Sequence, residues 1–217
     1  MELREALETG GALALNLIGS PGSGKTMLLE KTLELLPADT RVAVLSSDIQ
    51  DPDLRRLLRY GHPIRRILTG GASRLDAAMV EKHLEKWLLR TVQLLLIENA
   101  GNPQSGCDLG EDAKVVILSV AGGEDQLLQH PWIFRQAELM ILNKIDLLPR
   151  VAFRPAIVCN NAHRINPDLE IIETSCITGE GLGQWMRWLE ARAARKAAAS
   201  LAVTTQYNQN QPGGWHA

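Results

Sequence analysis

Cysteine, aromatic residues and a net charge of one sign are all scarce in this 217-residue chain. Three cysteines without a C-x-x-C pair argue against a disulfide framework and predict a cytoplasmic protein. Lys and Arg number 23 against 25 Asp and Glu, so the net charge of -2 gives no general attraction to nucleic acid or to a membrane. No apolar run reaches transmembrane length, and the first residues do not resemble a signal peptide.

What the chain does contain is a regular alternation of apolar strand-like segments with helical segments. Hydrophobic residues make up 45% of the chain and charged residues 22%, which is typical of a globular domain. The predicted strands are 12–18, 41–45, 92–97, 114–120, 139–142 and 170–174. Such strands predict a three-layer α/β fold with a mostly parallel sheet and helices on both faces. We expect one domain over residues 1–203 and a disordered polar tail over 204–217.

The first strand is followed by a phosphate-binding loop and a helix. Residues 19–26 fit the pattern G-x-x-x-x-G-K-[ST] at every fixed position. Its glycines let successive backbone N–H groups point at one anion, and the helix that follows directs its positive end there. Lys25 is expected to reach the β- and γ-phosphates, and Thr26 to bind Mg²⁺. The predicted nucleotide contacts here are Ser20, Pro21, Gly22, Ser23, Gly24, Lys25 and Thr26.

A second motif, Asn143-Lys144-Ile145-Asp146, follows the fifth predicted strand and indicates guanine. A carboxylate at Asp146 can accept from both guanine N1–H and the exocyclic amine, whereas adenine offers the reverse pattern. Ser175 and Cys176 end the next strand and are expected to direct backbone N–H groups to the guanine oxygen. We therefore predict that Asn143, Lys144, Asp146, Ser175 and Cys176 bind the base. Ile177 stands where a lysine is usual, so one stacking contact is expected to be weaker.

Two carboxylates, Asp48 and Glu98, end the second and third predicted strands and are expected to face the phosphates. With Thr26 they offer the oxygen ligands that Mg²⁺ prefers, and either carboxylate can orient the attacking water. The alternative is helix capping or solvation. We predict Lys25, Thr26, Asp48 and Glu98 as the catalytic residues. Gly101 is expected to offer an N–H to the γ-phosphate.

An arginine-rich region over residues 49–68 has two interpretations. The first is a solvated helix face, and the second is a switch segment that closes on nucleotide or on a partner. Arg55 in this region and Arg74 further along are candidates for an arginine finger.

Together these motifs resemble the hydrogenase nickel-incorporation GTPases, the HypB family, over about residues 11–190. The members of this family are relatives of the urease nickel-insertion GTPase, in the dimer-activated class of phosphate-loop proteins. Further matching strings are Thr69-Gly70, Leu75-Asp76-Ala77, Glu98-Asn99-Ala100-Gly101-Asn102, Asp108-Leu109-Gly110-Glu111, Ser119-Val120, Gly123-Glu124-Asp125 and Thr178-Gly179-Glu180-Gly181. The resemblance implies slow GTP hydrolysis, GTP-favoured homodimers, and delivery of nickel to a hydrogenase large-subunit precursor with a small zinc-containing partner chaperone.

The metal-binding residues of that family are incompletely matched. The family's Cys-His pair before Leu75 is replaced by Ser73-Arg74, and Gln126 stands where the family usually has lysine. The remaining candidate for Ni²⁺ or Zn²⁺ is Cys107, as one thiolate from each subunit of a symmetric dimer, and the alternative is a free thiol.

The sequence therefore favours a GTPase that serves nickel insertion into [NiFe] hydrogenase and leaves alternatives open. One is a GTP-dependent switch for metalloenzyme maturation that carries no metal itself. A second is a nucleotide-sensing scaffold with little hydrolysis, and a third is an ATP-dependent kinase.

Overall fold

The computed structural model describes residues 4, 7–8, 11–47, 49–67, 75–84, 91–99 and 108–209. Several residues singled out above lie outside these ranges, and the predictions for them stay predictions. They are Asp48, Ser73, Arg74, Gly101 and Cys107.

A seven-stranded sheet, parallel throughout, forms the centre of the described chain. Its strands are β1 (Leu13–Ile18), β2 (Val42–Ser46), β3 (Ile64–Arg66), β4 (Leu94–Asn99), β5 (Ala113–Ser119), β6 (Leu139–Asn143) and β7 (Glu170–Thr174). They lie side by side in the order β3-β2-β4-β1-β5-β6-β7. The chain therefore extends first to one side of β1 and then to the other, so the carboxyl end of β1 is the point where parallel sheets bind ligands.

Helices connect the strands over the rest of the described chain. They are α1 (Lys25–Leu35), α2 (Asp51–Leu58), α3 (Ala77–His83), α4 (Gln126–Gln129), α5 (Pro131–Gln136), α6 (Pro155–Ile165) and α7 (Leu182–Gln209). Short 3₁₀ segments cover Val120–Gly122 and Ile145–Arg150. Among the described helices, none combines the length and the apolar character needed to cross a membrane.

The hydrophobic core fills both faces of the sheet, which confirms the predicted three-layer α/β fold. Alternate residues of β1 point to opposite faces, as the period of a strand requires. Leu15 packs on one face with Leu28 of α1 and Trp185 of α7. Ala14 packs on the other face with Val80 of α3. Because both faces are covered, every residue of β1 is buried.

All six predicted strands are present, with boundaries within two residues of those expected, and one strand was missed. That strand, β3, is only three residues long and contains Arg65 and Arg66. It lies at the edge of the sheet beside β2, where one side of the strand needs no apolar cover. Charged side chains are common on such edges. The segment therefore lacks the apolar pattern from which a strand is predicted.

The last helix continues further than the sequence indicated. α7 runs to Gln209, six residues beyond the predicted domain end at Val203, so the predicted tail begins inside a helix. The disordered character assigned to the tail stays a prediction, because residues 210–217 lie outside the described ranges. Lys196 of α7 pairs with Asp112 at 2.6 Å, and the same carboxylate accepts from the Ala14 N–H at 2.8 Å. This contact ties the helix to β1.

A buried hydrogen bond fastens α7 to α1, the helix that begins at the phosphate loop. Trp185 is fully buried and stacks on Trp188 with ring centroids 5.7 Å apart. Its indole Nε1–H donates to Thr32 Oγ1 at 2.8 Å, and the Thr32 hydroxyl donates to the Leu28 carbonyl at 2.6 Å. The helix that ends the domain thus braces the helix that carries Lys25.

We expect Trp185→Phe to lower the free energy of unfolding by about 2–3 kcal/mol, because it removes both packing and this bond. Thr32→Val should cost about 1–3 kcal/mol, since it leaves a buried indole N–H without an acceptor. Urea denaturation of both single variants and the double variant measures the coupling. The double variant should lose clearly less unfolding free energy than the sum of the two single losses. Strictly additive losses would contradict a hydrogen bond between the two side chains. Thr178→Val, at an exposed threonine, is the control for the Thr-to-Val change.

Candidate functional site

The phosphate loop joins β1 to α1 in the predicted position, at the carboxyl end of the central strand. Gly22 and Gly24 have φ of 76° and 98°, a region that favours glycine. A Cβ at Gly24 would lie 2.3 Å from Asn143 Nδ2, so a side chain there would collide with the end of β6. The loop is therefore closely packed against β6.

Lys25 is folded over this loop. Its side chain is 3% exposed, and its Nζ donates to the carbonyls of Gly19 at 2.8 Å and Ser20 at 3.2 Å. The ammonium thus lies at the loop, where phosphate oxygens can take over these contacts. This placement agrees with the predicted role of Lys25 at the β- and γ-phosphates.

Thr26 and Glu98 meet at the end of the site where Mg²⁺ is predicted to bind. Thr26 Oγ1 donates to Glu98 Oε1 at 2.6 Å, and Glu98 is fully buried at the end of β4. An alcohol and a carboxylate at this separation are hard oxygen donors, which fit Mg²⁺ and not a soft metal. The predicted pair is thus brought together. The third predicted ligand, Asp48, lies outside the described residues.

Asn143 connects the base end of the site to the phosphate loop. Its Nδ2 donates to the Ser23 carbonyl at 2.9 Å, and its Oδ1 accepts from the Lys144 N–H at 2.8 Å and from Thr174 Oγ1 at 3.2 Å. Lys144 has φ of 65°, a strained value for a residue with a side chain. This turn separates Lys144 from the strand and brings it to the cleft.

Asp146 and Ser175 lie side by side, as the sequence predicted. The Ser175 hydroxyl donates to Asp146 Oδ1 at 2.6 Å and accepts from the Thr178 N–H at 3.1 Å. The hydroxyl thus fixes the carboxylate that is expected to read guanine. Cys176 beside it is buried, and burial raises the pKa of its thiol to about 11. Its thiol is therefore protonated at neutral pH. Ile177 is 73% exposed at the rim.

These residues share one cleft of about 500 Å³, a size suited to a nucleotide. Its lining includes Gly22, Gly24, Lys25, Thr26, Asn143, Lys144, Asp146 and Cys176. The phosphate and base motifs are therefore at opposite ends of a single cavity. Ser20, Pro21 and Ser23 of the loop line a smaller cavity of about 130 Å³ on the other side.

Sequence reasoning missed three further residues that line the same cleft, namely Gln50, just before α2, and Asp53 and Arg56 of α2. Arg56 pairs with Glu30 of α1 at 2.7 Å and with Asp53 at 3.3 Å. Arg55 is exposed, as a solvated helix face requires, and the interpretation of this region as a switch stays a prediction. Spacing of polar residues by three along the segment is the signal that could have identified them.

A metal cluster of three or more His, Cys, Asp or Glu side chains is not formed by the described part of the chain. Two histidines of that part bind backbone carbonyls instead. His83 Nδ1 lies 2.8 Å from the Met79 carbonyl, and His163 Nε2 lies 3.0 Å from the Leu169 carbonyl. The candidate Cys107 lies outside these residues.

Comparison with known proteins gives the same fold and a family of nucleotide-binding domains. Residues 13–173 match the family model described as the CobW/HypB/UreG nucleotide-binding domain. The hydrogenase maturation factor HypB of Azotobacter chroococcum is 44% identical over 209 residues, covering 94% of this chain and 68% of that protein. A probable HypB of Methanocaldococcus jannaschii is 35% identical and covers 86% of each chain. The chain spans 63% of the length of the Escherichia coli HypB.

Solved structures agree with these matches. The HypB of Archaeoglobus fulgidus superposes with a TM-score of 0.83 at 36% identity, covering 88% of this chain and 95% of the other. The Helicobacter pylori HypB, solved in complex with nickel, superposes with a TM-score of 0.81 at 28% identity, covering 90% and 93%. From the family match over residues 13–173 and these relatives, the chain belongs to the CobW/HypB/UreG family of nucleotide-binding proteins.

Proposed function

We propose that this chain binds and hydrolyses GTP as an accessory protein for nickel insertion into [NiFe] hydrogenase. One observation carries the nucleotide part of the proposal. The phosphate loop and the Asn143–Asp146 motif line one cleft and are joined by the bond from Asn143 to Ser23. The relatives named hydrogenase maturation factor supply the client.

At the phosphate end, the chain supplies positive charge and oriented donors. Lys25 is expected to exchange the Gly19 and Ser20 carbonyls for β- and γ-phosphate oxygens, and the loop N–H groups face the same anion. Thr26, Glu98 and Asp48 would hold Mg²⁺, which would neutralise part of the phosphate charge. The catalysis proposed is therefore mainly electrostatic.

The attacking water needs a carboxylate or amide to orient it, and Glu98 is the proposed residue of the described chain. Its carboxylate lies beside Thr26, which ties it to the magnesium end of the cleft. Arg56, the α2 arginine that lines the cleft, is engaged by Glu30 and Asp53. Of the two predicted candidates for an arginine finger, Arg55 is an exposed residue of α2 and Arg74 lies outside the described residues. We expect slow turnover, because Arg56 is held by two carboxylates.

Guanine selectivity is assigned to Asp146, held by Ser175. A carboxylate fixed by a hydroxyl keeps its second oxygen directed at the base. Cys176 borders the same end of the cleft, and its backbone N–H is proposed to face the guanine oxygen. The Ser175 N–H, also predicted to face it, donates instead to the Glu180 carbonyl at 3.0 Å, because the turn after β7 folds back on the strand end. An ATP-dependent kinase is disfavoured, because adenine presents a donor and an acceptor in the reversed order.

The partners follow from the resemblance and stay predictions. They are a second copy of the chain in a GTP-favoured dimer, a small zinc-containing nickel chaperone and the hydrogenase large-subunit precursor. Nickel is the cargo in this proposal, and the H. pylori relative was solved with nickel. The cytoplasmic location also stays a prediction.

A second candidate function is a GTP-dependent switch or scaffold that carries no metal itself. The observation that favours it is Ser73-Arg74, which stands where the family has Cys-His. Hydroxyl and guanidinium groups are poor ligands for Ni²⁺ compared with thiolate and imidazole. Both functions keep the same nucleotide site and differ only in where the metal is held.

Asp146→Asn should reverse the base preference of the cleft. An amide can donate to the 2-oxo group of xanthine but no longer accepts both guanine donors. We expect GTP affinity to fall at least about tenfold, a loss of about 1.4 kcal/mol, and xanthosine triphosphate to become the preferred ligand. Competition binding measures both affinities. Asp168→Asn is the control, because Asp168 is exposed and lies just before β7, at the amino ends of the strands. Unchanged preference would refute the guanine assignment.

Lys25→Ala should reduce single-turnover hydrolysis of GTP with Mg²⁺ by about two orders of magnitude, because the loop loses its fixed positive charge. Phosphate release is the measurement, and Lys31→Ala on the same helix is the matched control. If the natural chain released no more phosphate than Lys25→Ala, the hydrolase assignment would fail and a nucleotide-sensing scaffold would remain.

Introducing the family's ligands should strengthen nickel binding. We expect the double change Ser73→Cys and Arg74→His to raise Ni²⁺ affinity at least about tenfold, since it supplies a thiolate and an imidazole. Equilibrium dialysis with Ni²⁺ and with Zn²⁺ compares this variant with the natural chain and Cys107→Ala. Tight stoichiometric binding by the natural chain that Cys107→Ala abolishes would instead place the cargo on Cys107 and exclude the metal-free switch.

A further inference from the structure

A second hydroxyl contacts Glu98, and the function described so far does not use it. Ser46 is the last residue of β2, is fully buried, and pairs in register with Glu98 of β4. Its Oγ donates to Glu98 Oε2 at 2.5 Å. The opposite oxygen, Oε1, accepts from Thr26 at 2.6 Å. Each oxygen of this buried carboxylate is thus held by a hydroxyl from a different element of the fold.

The same Ser46 oxygen has a second contact, on the side of α2. It accepts from the Ile49 N–H at 3.0 Å. Because a serine hydroxyl has one donor and two acceptor positions, it can hold Glu98 and Ile49 at the same time. Ile49 follows Asp48 directly, and α2 begins two residues later with its cleft-lining side chains. One hydroxyl therefore lies between the segment after β2 and the carboxylate of β4.

We propose that Ser46 is a positioning residue for the GTPase site, which fixes Glu98 so that Oε1 faces Thr26. The inference rests on the proposed function, because it gives Glu98 a place at the magnesium end of the cleft. Through the Ile49 N–H, the same hydroxyl also holds the backbone just before α2. Ser46 thus acts on the site through Glu98 and is not itself proposed as a ligand.

The physical reason is the cost of an unsatisfied charge. A buried carboxylate that loses one of two hydroxyl donors is less stable in its native orientation and can turn towards the remaining donor. Hydrogen bonds from a hydroxyl to a carboxylate are charge-assisted and short. The two hydrogen bonds to Glu98 are 2.5 and 2.6 Å long. Loss of the Ser46 hydroxyl therefore weakens the geometry of the site without removing a ligand from it.

Ser47→Ala is the matched control for Ser46→Ala. Ser47 is the next residue and undergoes the same loss of one oxygen, but its hydroxyl lies 3.4 Å from the main-chain carbonyl of Glu98, away from the carboxylate. Any difference between the two variants therefore reports on contact with the carboxylate itself.

The first experiment tests the contact without nucleotide or metal. Urea unfolding is measured for Ser46→Ala, Glu98→Ala and the double variant. We expect Ser46→Ala to lower the folding equilibrium constant about tenfold in the natural chain and less than threefold when Glu98 is already absent. Ser47→Ala should act equally in both backgrounds. Equal losses for Ser46→Ala in both backgrounds would overturn the proposal.

The second experiment tests the consequence at the site. GTP binding and single-turnover hydrolysis are measured against Mg²⁺ concentration. We expect Ser46→Ala to raise the half-saturating Mg²⁺ concentration about tenfold while GTP binding in EDTA stays within twofold of the natural chain. For Ser47→Ala, the half-saturating Mg²⁺ concentration and GTP binding in EDTA should both stay within twofold of the natural chain. A normal Mg²⁺ response in Ser46→Ala would refute the positioning role and leave the GTPase assignment intact.

Failure of the proposed function would look different. If the natural chain showed no Lys25-dependent hydrolysis and no effect of Mg²⁺ on GTP binding, the GTPase assignment would fail, and with it the positioning role. The unfolding measurements would then still decide whether Ser46 and Glu98 are coupled.

Discussion

One amide group holds the two halves of the nucleotide site together. Asn143 Nδ2 donates to the Ser23 carbonyl in the phosphate loop, while Oδ1 is held by the Lys144 N–H and Thr174. Because Asn143 is buried, water does not compete for these bonds. The distance between the phosphate end and the base end is therefore set by the chain itself. Lys25 and Asp146, which are proposed to bind one nucleotide, lie on either side of this link.

A second set of contacts keeps the helices around this cleft in place. α1 carries Lys25 and Thr26 at its start and is held further along by Trp185 of α7. α2 carries Arg56, which pairs with Glu30 on the outer side of α1. The cleft is thus lined by residues of α1 and α2, while α7 holds α1 in place without lining the cleft. Family membership fits this arrangement, since the match covers residues 13–173 and so includes every strand of the sheet except the last residue of β7.

Much of this could be predicted from the sequence, because the decisive features are local. Continuous apolar strands give the parallel sheet, and the phosphate loop and the Asn143–Asp146 motif carry fixed spacing. The proximity of Asp146 and Ser175 followed from two strand ends that meet at one edge, whereas the hydrogen bond between their side chains was not predicted. By contrast, β3 is too short and too charged to show a strand pattern. Ser46 could not be predicted either, because only the register of β2 against β4 brings it to Glu98. Long-range pairings of this kind leave no periodic signal in a single sequence.

Lys25 has one more consequence, which concerns ligands smaller than a nucleotide. Its ammonium already holds the Gly19 and Ser20 carbonyls, so any anion entering the loop must replace existing hydrogen bonds. A lone orthophosphate offers few contacts in exchange, whereas a triphosphate brings oxygens to the lysine, the loop N–H groups and the magnesium end together. We therefore expect the loop to favour a triphosphate over the inorganic anions abundant in a cell.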